Sequence, residues 1–347
     1  MKILITGNLG YVGAGVVKEF RKYYPNAEII GFDAGFFAKY VTSNTIAPES
    51  YLNVQHYGDV RDFPEHLLEG VETVVNLAAI SNDPIGNKFE EATLDINYRA
   101  TVDIAKKAKK QGVKNFTFAS SCSVYGAAED SPRKEESEVN PLTAYAKSKI
   151  FTEKDLAGLA DKDFKITCHR FATACGMSER LRLDLVVNDF VAGAFTSGEI
   201  TILSDGTPWR PLINVKDMAR AIRWSHERKH SNGGDFLVVN TGSDDWNYMV
   251  KDLALKVQTI IPDIKVSINQ DAPPDKRSYK VDFGLFKKLA PNHQPVFNLE
   301  SSIKDLVTGF SQIKFNDPDF RNSKYMRLNV VNHLLEQGVI DNDLRIV

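Results

Sequence analysis

Residues 2–6, Lys-Ile-Leu-Ile-Thr, run straight into Gly7-Asn8-Leu9-Gly10-Tyr11-Val12-Gly13 and then into a helix-like segment at residues 14–23. A short apolar strand, a glycine turn and a helix start, in that order, commit the opening of the chain to one unit of an α/β sheet. Such a turn is an anion site, because the first helical N–H groups lack partners and the helix dipole is positive there. Glycine also lets backbone come close to a pyrophosphate. The spacing is Gly-x-x-Gly-x-x-Gly, not the commoner Gly-x-Gly-x-x-Gly. A tight turn with close helix packing would leave the same triplet.

The next segments of the chain repeat the alternation. A strand at residues 27–32 ends in Asp33, about twenty residues past Gly13, the place of an acid that bonds an adenosine ribose. A carboxylate there repels a 2′-phosphate, so NAD is expected rather than NADP. The strand at residues 52–57 closes on Gly58-Asp59-Val60, where Asp59 either accepts from an adenine amino group or caps a turn. The apolar run at residues 71–77 ends in Ala78-Ala79, small side chains that leave room for a cofactor. A long helix is expected within residues 88–111, with Ala92, Ile96, Ala100, Ile104 and Ala108 on one face and Asn97 as a buried polar candidate. Residues 115–120 form the next strand, so the fold class is α/β, a doubly wound parallel sheet with ligands at the strand carboxyl ends.

A chain of 347 residues is long enough for a nucleotide-binding domain and a companion, divided here at 1–175 and 176–347, with parts of the second half returning to the first. The formal charge of −2, without basic blocks, gives no footprint for nucleic acid. No apolar run reaches the ~20 residues of a membrane helix. Three cysteines and seven histidines lie scattered without metal-ligand spacing, so no metal site is expected and a reducing compartment is. The strand begins at once, with no signal peptide ahead of it, which points to the cytoplasm.

Pro141 suits a first helical turn, and Tyr145 and Lys149 then share one helix face. A phenol has an ordinary pKa of ~10, but an ammonium and a nicotinamide cation beside it favour the phenolate. Tyr145 could then take a proton from a sugar or alcohol hydroxyl; a helix with one tyrosine on its buried side would leave the same spacing. About twenty residues earlier, the fifth strand runs into Ala119-Ser120-Ser121-Cys122-Ser123-Val124-Tyr125-Gly126. With the glycine turn and Asp33, these motifs resemble the extended short-chain dehydrogenase/reductases, in particular the NAD-dependent nucleotide-sugar epimerase/dehydratase group. The resemblance implies a Rossmann-type domain binding NAD through Gly7, Gly10, Tyr11, Val12, Gly13, Asp33, Asp59, Val60, Ala78 and Lys149, with a smaller C-terminal α/β substrate domain. It makes Ser121 the catalytic serine, Tyr145 the base and Lys149 the residue that holds the nicotinamide ribose and lowers the tyrosine pKa.

The chain departs from the 4,6-dehydratase branch, which it resembles, in having Ser121-Cys122-Ser123 where that branch has Thr-Asp-Glu. Without that acid and base, 4-epimerase chemistry fits better, since a transient 4-keto sugar need only turn over in the site. Cys122 either exchanges a carbon-bound proton next to the ketone, allowing 3- or 5-epimerisation or elimination, or packs as a small apolar residue. Ser123 faces the substrate in this reading.

The second half extends the resemblance. Residues 180–190 are expected as a helix in which Arg180 and Arg182 either grip an acidic group or are solvated, and Asn188 matches the family asparagine on a sugar-nucleotide phosphate. Arg210 corresponds to a diphosphate-binding arginine, although Pro211 and Asn214 replace the usual Asp and His nearby. Trp209 either stacks on a ligand or lies in the core, and Asp217 is expected to cap the next helix. Arg277 is a second phosphate clamp, with Tyr279 in the same pocket. Residues 292–347 read as helices without assignable chemistry. The expected partner is a nucleotide-diphosphate sugar, and the family's habit implies a homodimer through helices near 88–111 and 141–160. A catalytically silent NAD-binding protein is the reading from another class, and the Ser121, Tyr145 and Lys149 set argues against it.

Overall fold

The computed structural model describes residues 1–43, 46–81, 83–127, 131–269 and 277–347. Six strands, β1 (Lys2–Thr6), β2 (Glu28–Asp33), β3 (Val54–Tyr57), β4 (Thr73–Asn76), β5 (Asn115–Ser121) and β6 (Lys165–Phe171), and a seventh at Phe236–Thr241 form one parallel sheet. Its order runs Phe236–Thr241, β6, β5, β4, β1, β2, β3. The chain leaves β1 for β2 and β3 on one side, then crosses back to β4 on the other. Between β1 and β4 the crossovers diverge, which opens a crevice at the carboxyl ends of those strands. Ile3, Leu4 and Ile5 are fully buried, as a central strand covered on both faces demands.

Two apolar clusters cover the faces of this sheet, and a third fills the second half around Leu181, Phe190, Trp246, Leu253 and Phe310. That half carries a three-stranded sheet of Asn247–Met249, Trp209–Asn214 and Thr173–Cys175, and a parallel pair of Glu199–Ile202 and Lys265–Ile268. The division is not a simple cut in sequence. Val330, Val331, Leu334, Ile340 and Leu344 pack in the same cluster as Leu4, Phe32 and Val74.

Several elements differ from expectation. The long helix within 88–111 is interrupted: α2 (Asp83–Lys88) ends before Phe89, whose backbone leaves helical values, and Glu90–Leu94 passes through a widened turn at Asp95–Arg99 into Ala100–Lys110. Buried Asn97 sits in that turn and spans to Ile80, accepting from its N–H at 2.7 Å and donating to its carbonyl at 2.9 Å. The Tyr145 helix is Ala144–Ala157, capped by Thr143 rather than entered at Pro141. Residues 180–185 are not helical, because their N–H groups are engaged elsewhere, Leu181 with Thr42 Oγ1 and Leu183 with the Tyr325 carbonyl. The helix there is Val186–Ser197. Asn214, not Asp217, caps Val215–Glu227, and Asp217 instead accepts from the Val296 and Phe297 N–H groups at 3.0 Å each.

Candidate active site

A cavity of about 880 Å³ opens at the carboxyl ends of the strands, near the top of the ~300–1,000 Å³ range of small-molecule sites. Its floor is the glycine turn. Gly7, at φ +72°, presses so closely on β4 that a Cβ would lie 2.5 Å from the Ala78 nitrogen. A Cβ on Gly13 would strike the Gly7 carbonyl. Gly10 caps helix α1 (Tyr11–Tyr23) without a side-chain acceptor, and no acid occupies the first turn. A helix N-terminus thus faces the cavity, uncompensated, where a dinucleotide pyrophosphate would fit.

Gly7, Gly10, Tyr11, Val12, Gly13, Asp33, Asp59, Val60 and Ala78 all line this space. Asp33 accepts from the Leu9 N–H at 3.0 Å and the Gly35 N–H at 2.8 Å, which fixes its carboxylate at the rim. Burial raises its pKa and those two bonds oppose the rise. Asp59 caps a short turn and pairs with Arg61 at 2.5 Å, so capping is the role its geometry displays. The Tyr11 hydroxyl donates to the Gly176 carbonyl at 2.6 Å, tying the glycine turn to the second half.

Ser121, Ser123, Tyr145 and Lys149 stand together on one wall. β5 ends in Ser121, whose Oγ accepts from the Ser123 N–H at 3.1 Å. Burial pushes the Tyr145 phenol up to about 12, Asp83 adds to the rise, and a hydrogen bond with Ser121 and the charge of Arg182 work against it. Lys149 donates to the Ala119 carbonyl at 2.8 Å and holds its Nζ 5.3 Å from the Tyr145 ring centroid. Burial pulls its ammonium down to about 7, so it changes charge near neutrality. Ser123 presents a buried Oγ without a partner, a hydroxyl ready for a ligand. Ser120 donates instead to Glu153, which is paired with Arg170 at 2.7 Å behind the wall.

Two expected residues are not part of the cavity wall. Cys122 is 1% exposed, packs with Val124 and Phe171, and donates its thiol to the Arg170 carbonyl at 3.1 Å. Burial raises its pKa, away from a thiolate. β5 ends at Ser121 and the chain enters a tight helical turn at Cys122–Tyr125, which leaves Ser121 and Ser123 on the cavity and Cys122 in the core. Asn188 is fully buried and spends its amide on Gly176, the Arg182 carbonyl and the Tyr11 hydroxyl, so it braces the wall without facing a ligand. From its helix, Asp189 and Phe190 line the cavity.

The rest of the cavity wall holds Arg210, Arg277 and Tyr279, together with residues that sequence reasoning did not single out or left undecided. Asp83, at the start of α2, pairs its Oδ2 with Arg277 at 2.5 Å and leaves a buried Oδ1 without a partner. One turn on, Gly86 packs against Tyr145, with a built Cβ 3.7 Å from the tyrosine Cβ. An Asp-Pro pair at the start of a helix is the signal that could have marked this acid. Arg182 lines the cavity, clasping Asp184 at 2.7 Å and donating to Ser81 Oγ at 3.0 Å, whereas Arg180 is buried and pairs with Glu49. Met326, Arg327 and Leu344 reach the cavity from the C-terminal stretch. Trp209 stacks under the Lys280 ammonium at 3.9 Å. Among the described residues no group of three His, Cys, Asp or Glu could hold a metal ion, and no helix is long and apolar enough to cross a membrane.

Residues 3–241 match the NAD dependent epimerase/dehydratase family. The chain is 27% identical over 273 residues to an uncharacterized UDP-glucose epimerase, YtcB, of Bacillus subtilis (strain 168), covering 76% of this chain and 82% of that protein. It is 25% identical over 281 residues to the UDP-glucose 4-epimerase of Lactobacillus helveticus, covering 75% and 82%. Its fold is shared with TunA, a solved NAD-dependent NDP-hexosamine 5,6-dehydratase of tunicamycin biosynthesis, at a TM-score of 0.77 and 23% identity over 92% of this chain and 99% of that one.

Proposed function

The chain belongs to the NAD-dependent epimerase/dehydratase family, and from that premise we propose that it epimerises a nucleotide-diphosphate sugar through transient oxidation at C4. The observation that carries this reading is the convergence of Ser121, Tyr145 and Lys149 on one cavity wall with no carboxylate at positions 122 and 123. When bound, NAD supplies a hydride acceptor that becomes the donor on return. Tyr145 takes the C4 hydroxyl proton as the C–H bond breaks, while Ser121 holds the same oxygen. Lys149, one turn along the helix with its Nζ 5.3 Å from the Tyr145 ring, supports the phenolate when charged, while Ser121 and Arg182 oppose the upward push of burial on Tyr145. After the 4-keto sugar turns over, Tyr145 returns the proton and the opposite face receives the hydride. Arg210 and Arg277 take the sugar nucleotide's diphosphate, Ser123 a sugar hydroxyl.

Asp83 favours a second reading, elimination of water: its Oδ1, unpartnered among the described residues, lines the cavity with Tyr145, and its carboxylate could take the proton from the carbon next to the 4-keto group while the Tyr145 phenol, protonated in the oxidation step, gives that proton to the leaving hydroxyl. Incubation with UDP-, dTDP-, GDP- and CDP-sugars in deuterated water, followed by proton NMR, separates them. Inversion at C4 without solvent deuterium is the expected result. Loss of water that Asp83→Asn abolishes would replace epimerisation by dehydration, and net NADH accumulation would defeat both. The homodimer belongs to this proposal: Phe151, 42% exposed, stands against Tyr98 on the outer side of the Tyr145 helix. Light scattering should find a dimer that Phe151→Glu dissociates, and a monomeric wild type would refute it.

A further inference from the structure

The helix Arg327–Glu336 lies beyond the stretch that matches the family, yet its N-cap Met326 and its first residue Arg327 both line the cofactor end of the cavity. Arg327 is 4% exposed. Its Nη2 donates to the Arg180 carbonyl at 2.9 Å, its guanidinium lies 4.1 Å from the Phe37 ring centroid, and its Nη1 is buried with no partner. The two neighbouring guanidiniums are each held by a carboxylate, Arg180 by Glu49 and Arg182 by Asp184. Arg327 makes no ion pair among the described residues, and no acid occupies the first turn of its helix. A buried guanidinium in that condition is costly unless something anionic arrives.

The tether says where. Arg180 donates its N–H to Ser178 Oγ at 3.2 Å, and Ser178 donates that hydroxyl to the Tyr11 carbonyl at 2.7 Å. The segment that holds Arg327 is therefore fastened to the first residue of α1, the helix whose bare N-terminus closes the glycine turn. Burial and the neighbouring Arg182 lower the pKa of Arg327, and Asp184 and the ribose acid Asp33 are close enough to work against them, which puts Arg327 in the electrostatic neighbourhood of Asp33. Arg210 and Arg277 lie at the Tyr279 end, so the substrate diphosphate has its own cations.

We propose that Arg327 and the N-terminus of its helix form a second anion clamp, opposite the glycine turn, for the bridging pyrophosphate of the dinucleotide. The clamp rests on the family's NAD dependence and not on C4 oxidation, and sugar turnover plays no part in its test. Charcoal-treated protein is titrated calorimetrically with NAD, ADP-ribose, NADP and adenosine. Arg327→Gln should weaken NAD and ADP-ribose about 10- to 100-fold, the worth of a charge-assisted hydrogen bond, and leave adenosine unchanged. Arg327→Lys should lose about ten-fold, keeping charge but not the fork. Should the glutamine variant not fold, the lysine variant carries the same comparison. Unchanged NAD affinity, or an equal loss for adenosine, overturns the clamp in favour of a packing role. A loss confined to NADP overturns it in favour of a 2′-phosphate contact.

Discussion

Ser121, Tyr145 and Lys149 come from a strand end and one helix, and burial shifts the proton affinity of both Tyr145 and Lys149. On the second wall, Asp83, Arg182, Arg210 and Arg277 come from separated parts of the chain and are held by polar partners, Arg277 on Asp83, Arg210 on the Arg277 carbonyl and Arg182 on Asp184. The first wall owes its geometry to regular elements and its reactivity to burial. The second owes both to ion pairs that an incoming diphosphate can rearrange. Chemistry is thereby fixed on one side, while the choice of substrate is left to the other.

The largest effect tests the first wall. Tyr145→Phe should lower kcat about 1,000-fold, within the range for a positioned general base, with NAD content unchanged. A drop below ten-fold would erase the distinction between the walls. Arg277→Gln should raise KM for the nucleotide sugar about ten-fold and leave kcat near wild type. Steady-state kinetics in which kcat falls as far as kcat/KM would instead bring the second wall into the chemical step.

Lys149 supplies a subtler test. Its folded pKa, about 7, lies below the ~10.4 of free lysine, so between those values the unfolded chain binds more protons and stability rises with pH. Below about pH 7 the full burial penalty is present. Calorimetry of ligand-free protein should therefore show Lys149→Met melting higher than wild type by a margin that is widest below pH 7 and closes toward pH 10. A margin independent of pH would mean that the ammonium does not titrate there. The smallest effect belongs to Cys122→Ala, which should keep turnover within about two-fold and cost about 1 kcal/mol in denaturant unfolding, an ordinary core truncation. Lost activity in a folded variant would move Cys122 from the core into the first wall.

The same contrast decides what was legible. The parallel sheet followed from alternating apolar runs and punctuating glycines, and the Ser121, Tyr145 and Lys149 cluster from short spacings on elements whose period is known. The match to the family asparagine puts Asn188 on a phosphate, whereas backbone and side-chain groups of Gly176, Arg182 and Tyr11 claim its amide. Cys122 goes inward because the chain leaves the strand for a tight helical turn right after Ser121, a detail that composition does not carry. Asp83 and Arg277 are 194 positions apart, and no local pattern announces such a pair. Arg327 lay in a stretch that matched no motif at all.

The sharing of one apolar cluster by Leu4, Phe32 and Val74 with Val330, Leu334 and Leu344 sets a timetable for synthesis. Ribosomes deliver roughly 5–20 residues each second, N-terminus first, so the sheet can assemble many seconds before its last covering arrives. Until then the nascent chain carries an uncovered greasy face. A product cut short before residue 327 would keep that face for good, and should be the form that chaperones bind and proteases clear.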